Sequence, residues 1–213
     1  MNPILNSPYE QPDRYYVIGP TGPSGEIRDG RRPSESLIPI AITKKKGVTN
    51  QGDQGELNFD ATGERREQNS LINDIRRDVA SWRATGNYNG VTPISRKLLQ
   101  HWADHTRENR VLFCQREAAE TAIYLTEVAG RHGTDWRKRL EPENDAHNSG
   151  LPRVALKMAT GSGKTIVMAM LIAWQTLNKV QAPRDARFTN RFLIVTPGIT
   201  IKDRRIQAVS ASP

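Results

Sequence analysis

The sequence predicts an α/β protein in three parts: an irregular or small β segment and linker over residues 1–70, a helical region over 71–150, and the start of a parallel-sheet domain over 151–213. Three observations lead there. Between Val154 and Val195 a short apolar run, a glycine turn, an apolar helix pattern and a second short apolar run follow one another, which is the order of a parallel βαβ unit. From Leu71 to Ala129 apolar residues recur at helical spacing. Ahead of them, Gly, Pro and polar residues interrupt every long pattern.

From Ile18 to Pro39 (IGPTGPSGEIRDGRRPSESLIP) the repeated Gly and Pro disfavour helix and central strand and leave turns and extended pieces. The flanking runs Tyr15–Ile18 and Leu37–Ile42 are expected to pair as two short strands before the basic triplet Lys44, Lys45 and Lys46. That triplet is either a DNA contact or, as short charge runs more often are, a solvated turn. Residues 51–70 hold little that packs and read as a solvated linker, with a boundary near 70.

Leu71, Ile72, Ile75, Val79 and Trp82 share one helical face, and the pattern runs out at Gly86. Thr92-Pro93, a cap residue before a proline at the first helical position, opens a second helix with Ile94, Leu98, Leu99 and Trp102 on one side. A third helix is expected from Val111 to Ala129, stopped by Gly130, and residues 131–152 read as a polar connector. Val154–Met158 and Phe192–Val195 are the expected buried strands. Between them Ile166, Met170, Ile172, Ala173 and Leu177 make a helix from Lys164 to about Asn178, with a right-handed crossover. Trp82, Trp102, Trp136 and Trp174 lie far apart and point to core packing, not to a base-stacking platform. Cys114, on an apolar helical stretch, is expected in the core.

With 36% hydrophobic and 25% charged residues the chain can bury a core. Its longest apolar run, Ile166–Trp174, is nine residues, about half of the ~18 that suggest a bilayer span. The start, MNPILNSPYEQPDRYY, lacks the basic and apolar regions of a secretory signal, and a single cysteine suits a reducing compartment, so the expected place is the cytoplasm, with no membrane partner. Charge is unevenly placed: residues 1–150 carry 21 Lys/Arg and 21 Asp/Glu, whereas residues 151–213 carry 10 and 2. A basic excess focused on one segment suits phosphate, in a nucleotide or along a nucleic acid, although basic surface also serves solubility alone.

The chemistry concentrates at Ala159-Thr160-Gly161-Ser162-Gly163-Lys164-Thr165, between the first expected strand and the helix. Phosphate oxygens need several converging backbone N–H groups, which a chain supplies only where small residues let it curl around the ligand. Gly161 and Gly163 allow that curl, and the helix beginning at the end of the loop adds its amides and positive dipole end. Lys164 can reach the β- and γ-phosphates as a point charge, and Thr165 can offer its hydroxyl to Mg²⁺. The general pattern has a further glycine where this chain has Met158, and the bland alternative is a glycine turn with an incidental lysine.

MATGSGKT resembles the phosphate loop of superfamily 2 helicases and translocases, which commonly starts with Ala and has Thr before the first glycine. FLIVTPGITIKDR (Phe192–Arg204) resembles their next element, a strand ending in Thr-Pro-Gly whose loop touches the nucleic-acid backbone. LFCQREAAETAIYL (Leu112–Leu125) resembles the adenine-recognition element, with Gln115, 49 residues before Lys164, at the position that reads the base. Together with VTPISRKLLQHW, these stretches resemble the Res subunit of type III restriction enzymes and related DEAD/DEAH-like restriction helicases, over roughly residues 71–204.

That resemblance implies the start of a RecA-like P-loop NTPase domain, its parallel sheet incomplete here, in an ATP-driven motor on double-stranded DNA that is followed by a nuclease domain. The implied cofactors are ATP and Mg²⁺, and the implied partners are a DNA methyltransferase subunit and the remainder of the motor. Thr160, Gly161, Ser162, Gly163, Lys164 and Thr165 would hold the ATP phosphates, Thr165 also the Mg²⁺, Gln115 the adenine, and Thr196, Pro197 and Gly198 the DNA backbone. Hydrolysis needs a carboxylate pair and arginines that the family places after the Thr-Pro-Gly element. The chain stops nine residues after Arg204 without them, so a truncation is expected, with nucleotide binding but neither hydrolysis nor cleavage and with marginal stability for residues 151–213. The alternatives are a non-enzymatic nucleotide- or DNA-binding adaptor and an unrelated P-loop ATPase. Arg116 and Glu117 either orient Gln115 or form a surface pair. His101 and His105, four apart in HWADH without a following glutamate, are expected at the surface and not on a metal.

Overall fold

A computed structural model describes residues 4–19, 22–39, 64–130, 136–151 and 153–195. The chain divides into two compact units, Met1–Asn6 with Pro12–Ile75, and Ser7–Gln11 with Arg76–Pro213.

In the first unit β1 (Arg14–Gly19) and β2 (Gly22–Asp29) pair antiparallel, from Arg14 opposite Asp29 to Gly19 opposite Gly22, with a register shift between Tyr16 and Ile18. β3 (Glu35–Pro39) pairs antiparallel with β4 (Glu64–Gln68). The runs beginning at Tyr15 and Leu37 are therefore strands, but they do not pair with each other as expected. The first closes on the segment immediately after it, because a short loop costs less closure entropy than a distant partner and Gly22, at φ 117°, admits the reversal. The second pairs with residues read as a solvated linker. A ladder is made by backbone groups, so the polar segment ERREQ can join one without supplying a core face. Its register is held by side chains: Asn73 Oδ1 accepts from the Ser34 N–H at 2.7 Å, and the Ser36 hydroxyl donates to Asn69 Oδ1 at 3.1 Å. The end of the Leu37–Ile42 run and Lys44–Lys46 lie outside the described residues.

Helix α1 (Ser70–Ala84) buries Ile75, Val79 and Trp82 and ends as its sequence predicts, with the N–H groups of Thr85 and Gly86 turned back onto the Trp82 and Arg83 carbonyls at 3.3 and 3.0 Å. Tyr88, in the turn that follows, has a left-handed backbone (φ 45°) that a non-glycine residue adopts only when other contacts enforce it. Those contacts are an edge-on packing against Trp82 at 5.1 Å and a hydrogen bond from its hydroxyl to Glu120 at 2.9 Å. Helix α2 (Pro93–Ala103) starts where the cap signal placed it. Thr92 Oγ1 accepts from the Ser95 N–H at 3.1 Å, Pro93 occupies the first turn, and Leu99 and Trp102 are buried.

The third expected helix is two structures. α3 (Phe113–Ile123) passes into a π-helical turn over Tyr124–Val128, whose wider ring is closed by the Ala129 N–H on the Tyr124 carbonyl at 2.9 Å. Residues expected to be a connector contain helix α4 (Trp136–Asn148). Its polar composition and interior Pro142 argued against a helix. Trp136 overrides them by packing 1% exposed, with its indole N–H on Asp78 Oδ2 at 3.1 Å. Helix α5 (Lys164–Gln181) buries Val167, Met170, Trp174 and Asn178.

The observed class is α/β, with helices and two small antiparallel sheets, and among the described residues there is no parallel sheet. Val154–Met158 and Phe192–Val195, the expected buried strands, carry no ladder and are largely exposed, Leu193 at 90%. A parallel strand needs a neighbouring strand to pair with and cover over its faces, and neither run has such cover among the described residues. No described helix is long and apolar enough to cross a membrane.

Candidate nucleotide-binding site

The loop before α5 has the backbone that its sequence predicts. Gly161 and Gly163 are both left-handed, at φ 78° and 74°, and Gly163 is the residue from which the helix starts. A side chain there would be strained, and at Gly163 a Cβ would also overlap the carboxamide nitrogen of Gln115. Lys164 is therefore the first helical residue and is exposed, with half-buried Thr165 beside it. The first turn of α5 has no acidic residue and no side-chain cap, which leaves the positive end of this 18-residue helix without a carboxylate from the helix itself.

The loop is folded on itself. The Lys164 ammonium donates to the Ala159 carbonyl at 2.8 Å, and the Ser162 hydroxyl donates to the same oxygen at 2.6 Å. An ammonium on a neutral carbonyl exchanges one oxygen partner for another when an anion arrives, so the contact keeps the lysine over the loop without a competing carboxylate. Thr160 and Gly161 are exposed, and no atom lies within 4 Å of where a Gly161 Cβ would be, which leaves room for a ligand to approach. Left-handed glycines, an uncapped helix start, an adjacent ammonium and a hydroxyl form a donor set suited to a polyphosphate with its magnesium ion.

Gln115 lies beside this loop, although 47 residues separate it from Ser162. It is 3% exposed. Its Nε2 donates to the Ser162 carbonyl at 3.0 Å, and its Oε1 accepts from the Leu112 N–H at 3.0 Å. Cys114, expected in the core, is exposed, because Phe113 and Gln115 take the inward positions and the residue between them faces out. Its sulfur lies 4.0 Å from the Ser162 carbonyl. Arg116 and Glu117 do not orient Gln115 in any described contact. Arg116 pairs with Glu120 at 3.4 Å, and Glu117 with Arg83 at 3.4 Å, while Arg83 also reaches Glu120 at 2.6 Å. Burial and the Glu120 carboxylate push the Tyr88 phenol well above its ordinary range. Thr196, Pro197 and Gly198 lie outside the described residues.

Further along α5 from the loop is a buried polar cluster that was not expected from the sequence. Glu127, in the π-helical turn, is 2% exposed and accepts from the Thr92 N–H at 2.7 Å, the Trp174 indole N–H at 2.8 Å and the Ser95 hydroxyl. Asn178 donates to Ser95 Oγ at 3.0 Å and is also bonded to the Thr92 hydroxyl. Helix α5 is thus anchored to the start of α2 by Trp174 and Asn178, about three and four turns along it. The one sequence signal was an acidic residue inside the mostly apolar IYLTEVA. All four tryptophans are buried, as expected, and His101 and His105 are exposed, with no metal-ligating cluster among the described residues.

A family model for the type III restriction enzyme, res subunit, matches residues 69–211, about two-thirds of the chain. No curated protein and no solved structure matches it.

Proposed function

The chain belongs to the type III restriction enzyme res-subunit family, and from that premise we propose that it binds Mg²⁺-ATP through Thr160–Thr165 as the amino-terminal part of an ATP-driven helicase or translocase on double-stranded DNA. The observation that carries this reading is the left-handed Gly163 at the start of α5, with Lys164 and Thr165 immediately inside the helix and no acidic residue in its first turn. Lys164 would neutralise the outer phosphates, the loop amides would bind their oxygens, and the Thr165 hydroxyl would hold Mg²⁺. Bound magnesium would supply charge neutralisation across the phosphates. Gln115 is assigned to the adenine, and Thr196, Pro197 and Gly198 to the DNA backbone, on the family resemblance. Val154–Met158 and Phe192–Val195 are assigned as parallel strands of the P-loop NTPase sheet, laddered once the remainder of the motor covers them.

A DNA methyltransferase subunit is the proposed partner. For residues 160–165 the proposed role is nucleotide binding; the carboxylate pair that hydrolysis needs is not assigned to any described residue. DNA binding would be nonspecific and fall steeply with salt, because only backbone phosphates are addressed. The test is calorimetric titration of Mg²⁺-ATP into the wild-type chain and Lys164→Ala. Loss of a charge-assisted contact predicts weakening by about tenfold or more, with unchanged helical content, and equal affinities sink the assignment.

A further inference from the structure

We propose that Gln115 is a positioning residue for the phosphate loop, holding the Ser162 carbonyl away from the phosphates and thereby aiming the next amide at them. The inference rests on the nucleotide-binding reading above. In a trans peptide the C=O and the following N–H point in opposite directions, so whatever grips the Ser162 carbonyl also directs the Gly163 N–H. Gln115 Nε2 grips it at 3.0 Å from a side chain that is itself 3% exposed and tied by Oε1 to the Leu112 N–H. Both ends of the carboxamide are engaged, so it cannot rotate without breaking two hydrogen bonds. The missing side chain of Gly163 is what lets it sit there, because a Cβ would overlap Nε2.

The physical need is specific. A left-handed glycine at φ 74° has few steric restraints on the peptide before it, and a flipped Ser162–Gly163 peptide would present a carbonyl oxygen to an anion. Repulsion would then replace one of the converging donors. Gln115 removes that alternative, and it does so from the first turn of α3, so the loop's readiness for phosphate depends on where α3 packs. This role requires no base. It differs from adenine reading, which uses the same carboxamide but acts only on ligands that carry the ring.

Inorganic tripolyphosphate, which has no base, separates the two. Binding of magnesium tripolyphosphate and of Mg²⁺-ATP is measured for the wild-type chain, Gln115→Met and Lys164→Ala, with far-UV circular dichroism and thermal unfolding as controls. Positioning predicts that Gln115→Met weakens both ligands by the same factor, roughly three- to tenfold for one lost directing hydrogen bond. A loss confined to ATP, or no loss for either ligand, overturns it. A second measurement on the unaltered chain covers a Gln115→Met variant that does not fold: the Gln115 side-chain amide protons stay protected from hydrogen exchange with tripolyphosphate bound, and unprotected protons in that complex overturn the proposal. If Lys164→Ala binds both ligands as the wild type does, the nucleotide site itself is wrong, a failure distinct from a Gln115 effect.

Discussion

Replacing Glu127 by Gln keeps the size and shape of the side chain and changes only what it offers its neighbours. In the native chain both carboxylate oxygens face donors: the Thr92 N–H on one, the Ser95 hydroxyl and the Trp174 indole N–H on the other. A carboxamide can keep its oxygen toward Ser95 and Trp174, but its NH₂ then meets the Thr92 N–H, donor against donor. An unsatisfied buried donor costs about 1–3 kcal/mol, and two charge-assisted bonds become neutral ones, losing roughly 1 kcal/mol each. Relief of the buried charge's desolvation offsets part of this, leaving a net destabilisation of about 2–4 kcal/mol. For a chain of this size that corresponds to a fall in melting temperature of roughly 5–15 °C. Urea unfolding followed by far-UV circular dichroism is the assay. A Glu127→Gln stability within about 0.5 kcal/mol of wild type would refute the claim that this carboxylate organises the cluster.

Thr92→Ala removes the cap of α2 together with the hydroxyl bonded to Asn178, and is expected to cost about 1–2 kcal/mol, while Thr92→Ser stays close to wild type; equal losses in the two would show that the methyl and not the hydroxyl matters. The Arg187 side-chain and backbone hydrogen bonds hold the Asp185 carboxyl down to about 2, below its ordinary value. A depressed carboxylate contributes stability above its unfolded-state titration and loses it as pH falls toward the folded value, so this contribution is present above about pH 4 and fades between there and pH 2. Thermal unfolding across that window should fall less steeply for Asp185→Asn, and parallel pH profiles would exclude the pair as a contributor.

Local signals with a one-to-one physical cause were legible from the chain. Thr92-Pro93 places the start of α2 because a hydroxyl cap and a pre-set φ act within one turn, and Gly161 and Gly163 place the tight loop before α5 because few other residues adopt that backbone. Elements that depend on partners were not legible. ERREQ is a strand because Ser36 and its neighbours pair with it, and Trp136 makes a helix of a proline-containing polar stretch by finding Asp78 and a buried site. The runs at Val154 and Phe192 look like strands to any reading of periodicity, yet they carry no ladder here, because a strand exists only with its neighbours.

The sequence by itself therefore determined most of the helices between residues 70 and 128, the glycine loop that opens α5 with its lysine and threonine, the burial of the tryptophans and the family of the chain. Only the tertiary structure decided that Gln115 lies on the Ser162 carbonyl, that Cys114 between two inward residues faces out, and that Glu127 joins α2 to α5. Residue type and spacing carry what the backbone does within a turn or two, whereas contacts between residues tens of positions apart depend on how helices dock, and docking is set by the shape of the whole packed core.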